Sequence, residues 1–84
     1  MSSESYRYST HLNHVLAVTR PQIQRRWIAA TIEEPDWTEE QSRGVVRYFR
    51  RIAEFEGRVL RVVVNHNSFP PIIVTAFFDR RAAS

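Results

Sequence analysis

Residues 43–81 constrain this chain more than any other stretch. Three runs rich in β-branched and aromatic residues, Val45–Ile52, Arg58–Asn65 and Ile72–Phe78, each have the length and composition of a strand. The connections between them, residues 53–57 and 66–71, are short enough only for antiparallel neighbours. A three-stranded meander is therefore expected as the floor of the domain. Arginines punctuate the first two runs, so the meander is strongly basic.

Alternation divides each strand between two faces. Leu60, Val62 and Val64 form one wholly apolar set, and Ile72, Val74 and Ala76 form another. These six are expected to lie under a helical layer. The opposite face then carries Arg47, Arg51, Arg61 and Thr75 among Val59, Phe49 and Phe77. Three unpaired guanidinium groups are too costly to bury, so this second face must be open to water or capped by anions. An open basic sheet with aromatic surface has the composition of an RNA-binding platform. Solvated arginines on a sheet are also an ordinary device against edge aggregation, and composition alone does not choose between the two.

The first half of the chain reads as helical. Ser9 or Thr10 can cap a helix running to about Thr19, with Leu12, Val15 and Leu16 on one face and His11 and His14 on its flank. Arg20-Pro21 ends that helix, and proline suits the first position of a second one, over residues 21–33. Ile23, Trp27, Ile28, Ala30 and Ile32 give it an apolar face. Glu33 and Glu34 at its C-terminal end oppose the helix dipole, so fraying or an arginine partner is expected there. Residues 35–42 read as a loop that pins Trp37 into the core edge and sets its acids beside the basic sheet. Tyr6-Arg7-Tyr8 is a candidate short edge strand. The expected fold class is α+β: two N-terminal helices packed on one face of a three- to four-stranded antiparallel sheet.

At 84 residues there is room for one core, and a chain this size buries only roughly 60% of its unfolded surface. The expected division is a disordered leader over 1–7, a single domain over 8–81 and a tail over 82–84. With no cysteine, apolar packing alone must hold the fold, and a reducing cytoplasm fits that composition. No apolar run approaches the roughly 18 residues of a membrane span, and no signal-peptide core opens the sequence.

Charge is unevenly placed. Residues 1–42 hold four arginines against six acids, whereas residues 43–84 hold eight against three. All twelve basic residues are arginine, whose planar fork binds phosphate or carboxylate in bidentate fashion. The bias reflects either codon usage or an anionic partner, nucleic acid or an acidic protein segment. Helix-turn-helix DNA binding fits poorly, because the basic residues concentrate on strands.

The motif S-x-H at Ser9–His11, Arg20 at the interhelix turn, Pro35-Asp36, and the runs RYFRRIAEFEGRVLRVVV and VTAFFDRR together resemble the domain-of-unknown-function 4258 family, over about Tyr8 to Arg81. That family is similar at fold level to the RelE and BrnT toxins of the barnase–EndoU–colicin–RelE group. The resemblance implies an RNA substrate received on the open sheet face, and an antitoxin protein as a partner. Fold analogy alone does not deliver activity.

Metal-free RNA cleavage needs a base, a proton donor and cations for the phosphorane-like transition state. His11 and His14 are the candidate base and acid, Arg61 the phosphate holder and Thr75 a hydrogen-bond donor, with Arg47, Arg51 and Arg20 as RNA contacts. No cofactor is expected. His11 and His14 have chelating spacing, but no third ligand follows them. The chain lacks lysine, and Phe77 and Phe78 stand where a tyrosine could have transferred a proton. These departures favour a rival expectation, a non-catalytic module that holds an acidic partner. A third is self-association through the sheet edge or through Val59, Val63 and Phe77.

Overall fold

The computed structural model describes residues 6–82. The chain is α+β, with two helices packed on one face of a five-stranded mixed sheet. In chain order the strands are β1 (Arg7–Tyr8), β2 (Trp37–Ser42), β3 (Val45–Ile52), β4 (Arg58–Asn65) and β5 (Ile72–Phe78). Their spatial order is β1-β5-β4-β3-β2, antiparallel except for β1, which runs parallel to β5. The three central strands have the expected bounds. The sheet is wider than expected because residues 37–42 form a strand rather than a loop. Of the expected leader, residues 1–5 lie outside the described residues, but Arg7 already pairs in β1 and its N–H donates to the Pro71 carbonyl at 2.9 Å. Of the expected tail, Ala82 closes a 3-10 turn, and 83–84 lie outside the described residues.

Helix α1 (Thr10–His14) is capped by Ser9, whose hydroxyl accepts the Leu12 N–H at 2.9 Å. It continues as a π-helical stretch, Val15–Thr19, closed by the Arg20 N–H on the Val15 carbonyl at 2.7 Å. Helix α2 (Arg25–Glu33) begins four residues later than the proline suggested. Pro21 occupies a turn, and Gln24, in extended conformation, is the N-cap residue. At the other end of α2 an arginine does arrive. The Arg50 guanidinium, projecting from the helical side of β3, donates to the Glu34 carbonyl and so satisfies the C-terminus that the two glutamates disfavour.

The core lies between the helices and one sheet face. Leu12, Leu16, Ile23, Trp27, Ile28 and Ile32 meet Ile52, Leu60, Val62, Val64, Ile73 and Ala76. Alternation placed β4 correctly, but β5 departs from it. The β4–β5 register steps from Val63↔Thr75 to Val64↔Ile73, leaving Val74 as an extra residue in a bulge. Ile73, not Ile72 or Val74, therefore enters the core: it is 2% exposed, whereas Val74 is 36% exposed. The bulged Val74 carbonyl accepts the Ser9 hydroxyl at 2.9 Å, so one side chain caps α1 and fastens it to β5. No helix among the described residues is long and apolar enough to cross a membrane.

Candidate nucleic-acid interface

The face turned away from the helices is built from cross-strand rows. Trp37, Phe49, Arg61 and Phe77 occupy one row, and Glu39, Arg47, Val63 and Thr75 the next. Trp37 does not enter the core beneath the helices. It stacks on Phe49 with ring centroids 4.8 Å apart and planes 6° from parallel, and Phe49 is thereby buried. Val59 and Val63 are also buried on this side, which corrects the expectation that they form an exposed apolar patch. Their cross-strand neighbours are Arg51 and Arg47, long side chains whose stems cover apolar surface while the charged heads reach water.

The arginines of this face have partners within the fold. Arg47 donates to Glu39 and Gln41, each at 3.1 Å, so β2 does set its acids beside the basic sheet. Arg61 donates to Asp79 at 2.9 Å, with side chains only 24% and 12% exposed. Its guanidinium also lies over Phe77, 5.1 Å from the ring centroid, and 6.0 Å from the Phe49 centroid. Asp79 closes the end of β5: its N–H reaches the Val59 carbonyl, and its carboxylate accepts the Arg81 N–H at 2.9 Å. Burial pushes the Asp79 carboxyl upward. The hydrogen bonds from Arg61 and the Arg81 N–H, with the adjacent guanidinium charge, outweigh that and hold it below its ordinary 3.8. Arg61 is thus a strut that anchors Asp79.

At the end of the sheet where β3 finishes, β4 starts and β5 finishes, a cavity of about 560 Å³ opens. Four arginines line it, each from a different segment: Arg20 from the corner between the helices, Arg51 from β3, Arg58 from β4 and Arg80 from the turn after β5. Phe77 and Val59 contribute its apolar lining, and Arg20 lies 5.6 Å from the Phe77 centroid. The carboxylate in the lining is Asp79, already committed to Arg61. Arg58 makes a long, exposed contact of 3.7 Å to Glu56, and Arg80 has no acidic partner among the described residues. A smaller cavity continues along the same face past Asp79, lined by Trp37, Glu39, Arg47, Phe49, Arg61 and Arg81 among others.

The residues expected to form a site are divided by the fold. Arg20 and Arg51 meet in the arginine cleft, Arg47 and Arg61 line the neighbouring cavity, and Thr75 lies on the same face. His11 and His14 are exposed on α1, which packs through Leu12 on the opposite face, so the sheet stands between the imidazoles and Arg61. Arg58 and Arg80, which complete the cleft, escaped sequence reasoning. One begins a strand and the other follows one, and strand alternation says nothing about residues at strand ends. His66, in the connection between β4 and β5, shares a 2.8 Å hydrogen bond with Tyr48. Burial first, and the nearby Tyr6 phenol second, push the Tyr48 hydroxyl above its ordinary 10.0. Among the described residues, no three of His, Asp and Glu converge as metal ligands. No family model, curated protein or solved structure matches the chain.

Proposed function

We propose that this protein is a small RNA-binding domain that takes single-stranded RNA on the open sheet face, with the arginine cleft as its principal phosphate site. The observation that carries this reading is the convergence of Arg20, Arg51, Arg58 and Arg80 on one cavity whose acid, Asp79, is neutralised by Arg61. Such a cavity brings guanidinium groups from four segments together, and their forks match phosphate oxygens. Phe77 in the lining, and half-buried Trp37 further along the face, offer aromatic surface for bases, which stack without sequence preference. The resemblance to RelE-like toxins points to the same ligand.

The reading is binding rather than cleavage. Attack by a 2′-hydroxyl requires a base and an acid within hydrogen-bond reach of the phosphate. The two imidazoles of α1 lie in the other layer, and Asp79 is held ionised by Arg61.

Fluorescence anisotropy of a labelled single-stranded oligoribonucleotide at about 50 mM salt tests this, since phosphate contacts are strongest there. Saturable binding is expected, weakened about tenfold or more by Arg58→Ala with Arg80→Ala. Arg43→Ala, removing one like charge at the β2–β3 turn at the opposite end of the sheet, should have little effect. No binding in wild type, or equal weakening by Arg43→Ala, overturns the proposal.

A further inference from the structure

Resting on the RNA-binding reading, we infer that Asp79, the carboxylate shared by the two cavities, is a positioning residue for RNA: it sets Arg80 and Arg81 to either side of itself, where one strand can engage both. By charge alone an acid beside a phosphate site opposes binding. Its hydrogen bonds act in the other direction. Oδ2 accepts the Arg61 guanidinium at 2.9 Å, and the Asp79 N–H donates to the Val59 carbonyl at 2.9 Å, so the residue is anchored twice to β4. Oδ1 accepts the Arg81 N–H at 2.9 Å, and the Asp79 carbonyl accepts the Ala82 N–H at 3.3 Å. The 3-10 turn Arg80–Ala82 is thereby closed onto a residue that the sheet holds in place.

That turn decides where two consecutive arginines go. Had β5 continued, Arg80 and Arg81 would have pointed to opposite faces of the sheet. Instead Arg80 lines the larger cavity beside Arg20 and Phe77, and Arg81 lines the smaller one beside Trp37 and Arg47. Both side chains are exposed, and arginine has much rotamer freedom to lose when it grips a phosphate. A backbone already fixed by the Asp79 hydrogen bonds lowers that cost, because the two guanidiniums start from the correct side of the turn.

Two variants separate the charge from the hydrogen bond. Asp79→Asn and Asp79→Ala remove the same charge, but only asparagine keeps a side-chain oxygen for the Arg81 N–H. In the oligoribonucleotide anisotropy assay, Asp79→Asn should bind at least as tightly as wild type, and Asp79→Ala about fivefold more weakly than Asp79→Asn. With Arg80→Ala and Arg81→Ala also in place, the difference between the two Asp79 variants should shrink to less than about twofold, because the side chains being positioned are gone. A purely structural role would weaken both backgrounds alike. Melting curves set the assay temperature below every variant's transition. If Asp79→Ala does not fold, Arg81→Pro against Arg81→Ala replaces it. Both lose the guanidinium, only proline lacks the N–H, and the proline variant should bind at least about threefold more weakly. Equal binding within either pair, or an Asp79→Ala loss of the same size without the two arginine side chains, overturns the inference and leaves RNA binding standing. No binding of the oligoribonucleotide by wild type overturns both.

Discussion

Replacing Arg61 by alanine should destabilise the protein markedly, although arginine on an open sheet face would ordinarily be dispensable. The guanidinium forms an ion pair with Asp79 in which neither side chain is more than a quarter exposed. Truncating one partner of a fully buried pair costs roughly 3–5 kcal/mol, because the other charge is left unpaired. Partial exposure of Arg61 reduces that to about 2 kcal/mol here. Loss of its contact with Phe77, 5.1 Å from the ring centroid, adds about 0.5–1 kcal/mol. One term opposes these. The Arg61 Nε is buried without a hydrogen-bond partner among the described residues, and removing it recovers about 1 kcal/mol. The net expectation is about 2 kcal/mol, and for a domain of this size each kcal/mol shifts the melting temperature by about 4–8 °C. Thermal denaturation should therefore show a fall of about 8–16 °C. A double-mutant cycle with Asp79→Ala should return a coupling of at least about 1 kcal/mol. A single variant that melts within about 2 °C of wild type, or a cycle with no coupling, refutes the strut.

Two further predictions concern stability. Because the folded-state Asp79 carboxyl is held below its ordinary 3.8, its contribution is present above that pH and is lost as the pH falls through the lowered folded value. Urea denaturation should therefore show the stability gap between wild type and Asp79→Asn to be widest near neutral pH and to shrink towards pH 3. A gap that does not change with pH contradicts the assignment. Gly44→Ala should cost about 2 kcal/mol in the same assay, since φ is +75° and a Cβ there collides with the Asn67 side-chain amide, which donates to the Arg43 carbonyl at 3.0 Å. A cost under about 0.5 kcal/mol means that this turn relaxes freely.

The central strands were legible because β-branched and aromatic runs bounded by turn segments mark strands, and in β4 the set Leu60, Val62 and Val64 is wholly apolar and fully buried, although Val59 and Val63 on the other face are buried as well. The bulge at Val74 was not legible. Its carbonyl accepts the Ser9 hydroxyl across 65 residues of sequence, and no local pattern encodes such a bond. Strand β2 was missed for a related reason. Its residues are polar, with only Trp37 half-buried, and it is held by pairing with β3, by the stack on Phe49 and by the Glu39–Arg47 pair. The basic face was legible in composition. Its internal pairing was not: Arg61 is the most prominent arginine of the meander and proves to be a structural group. Arg58 and Arg80 gain importance only from where the chain turns.

The salt dependence of RNA binding is the sharpest test of the arginine cleft. If the arginine-lined face engages about three phosphate charges, log K for a single-stranded oligoribonucleotide should fall against log salt with a slope near −2. In Arg58→Ala with Arg80→Ala that slope should become shallower by about 1 or more, and in Arg43→Ala it should hold. A slope near zero, or one that the cleft variant leaves unchanged, contradicts the claim that these arginines hold RNA.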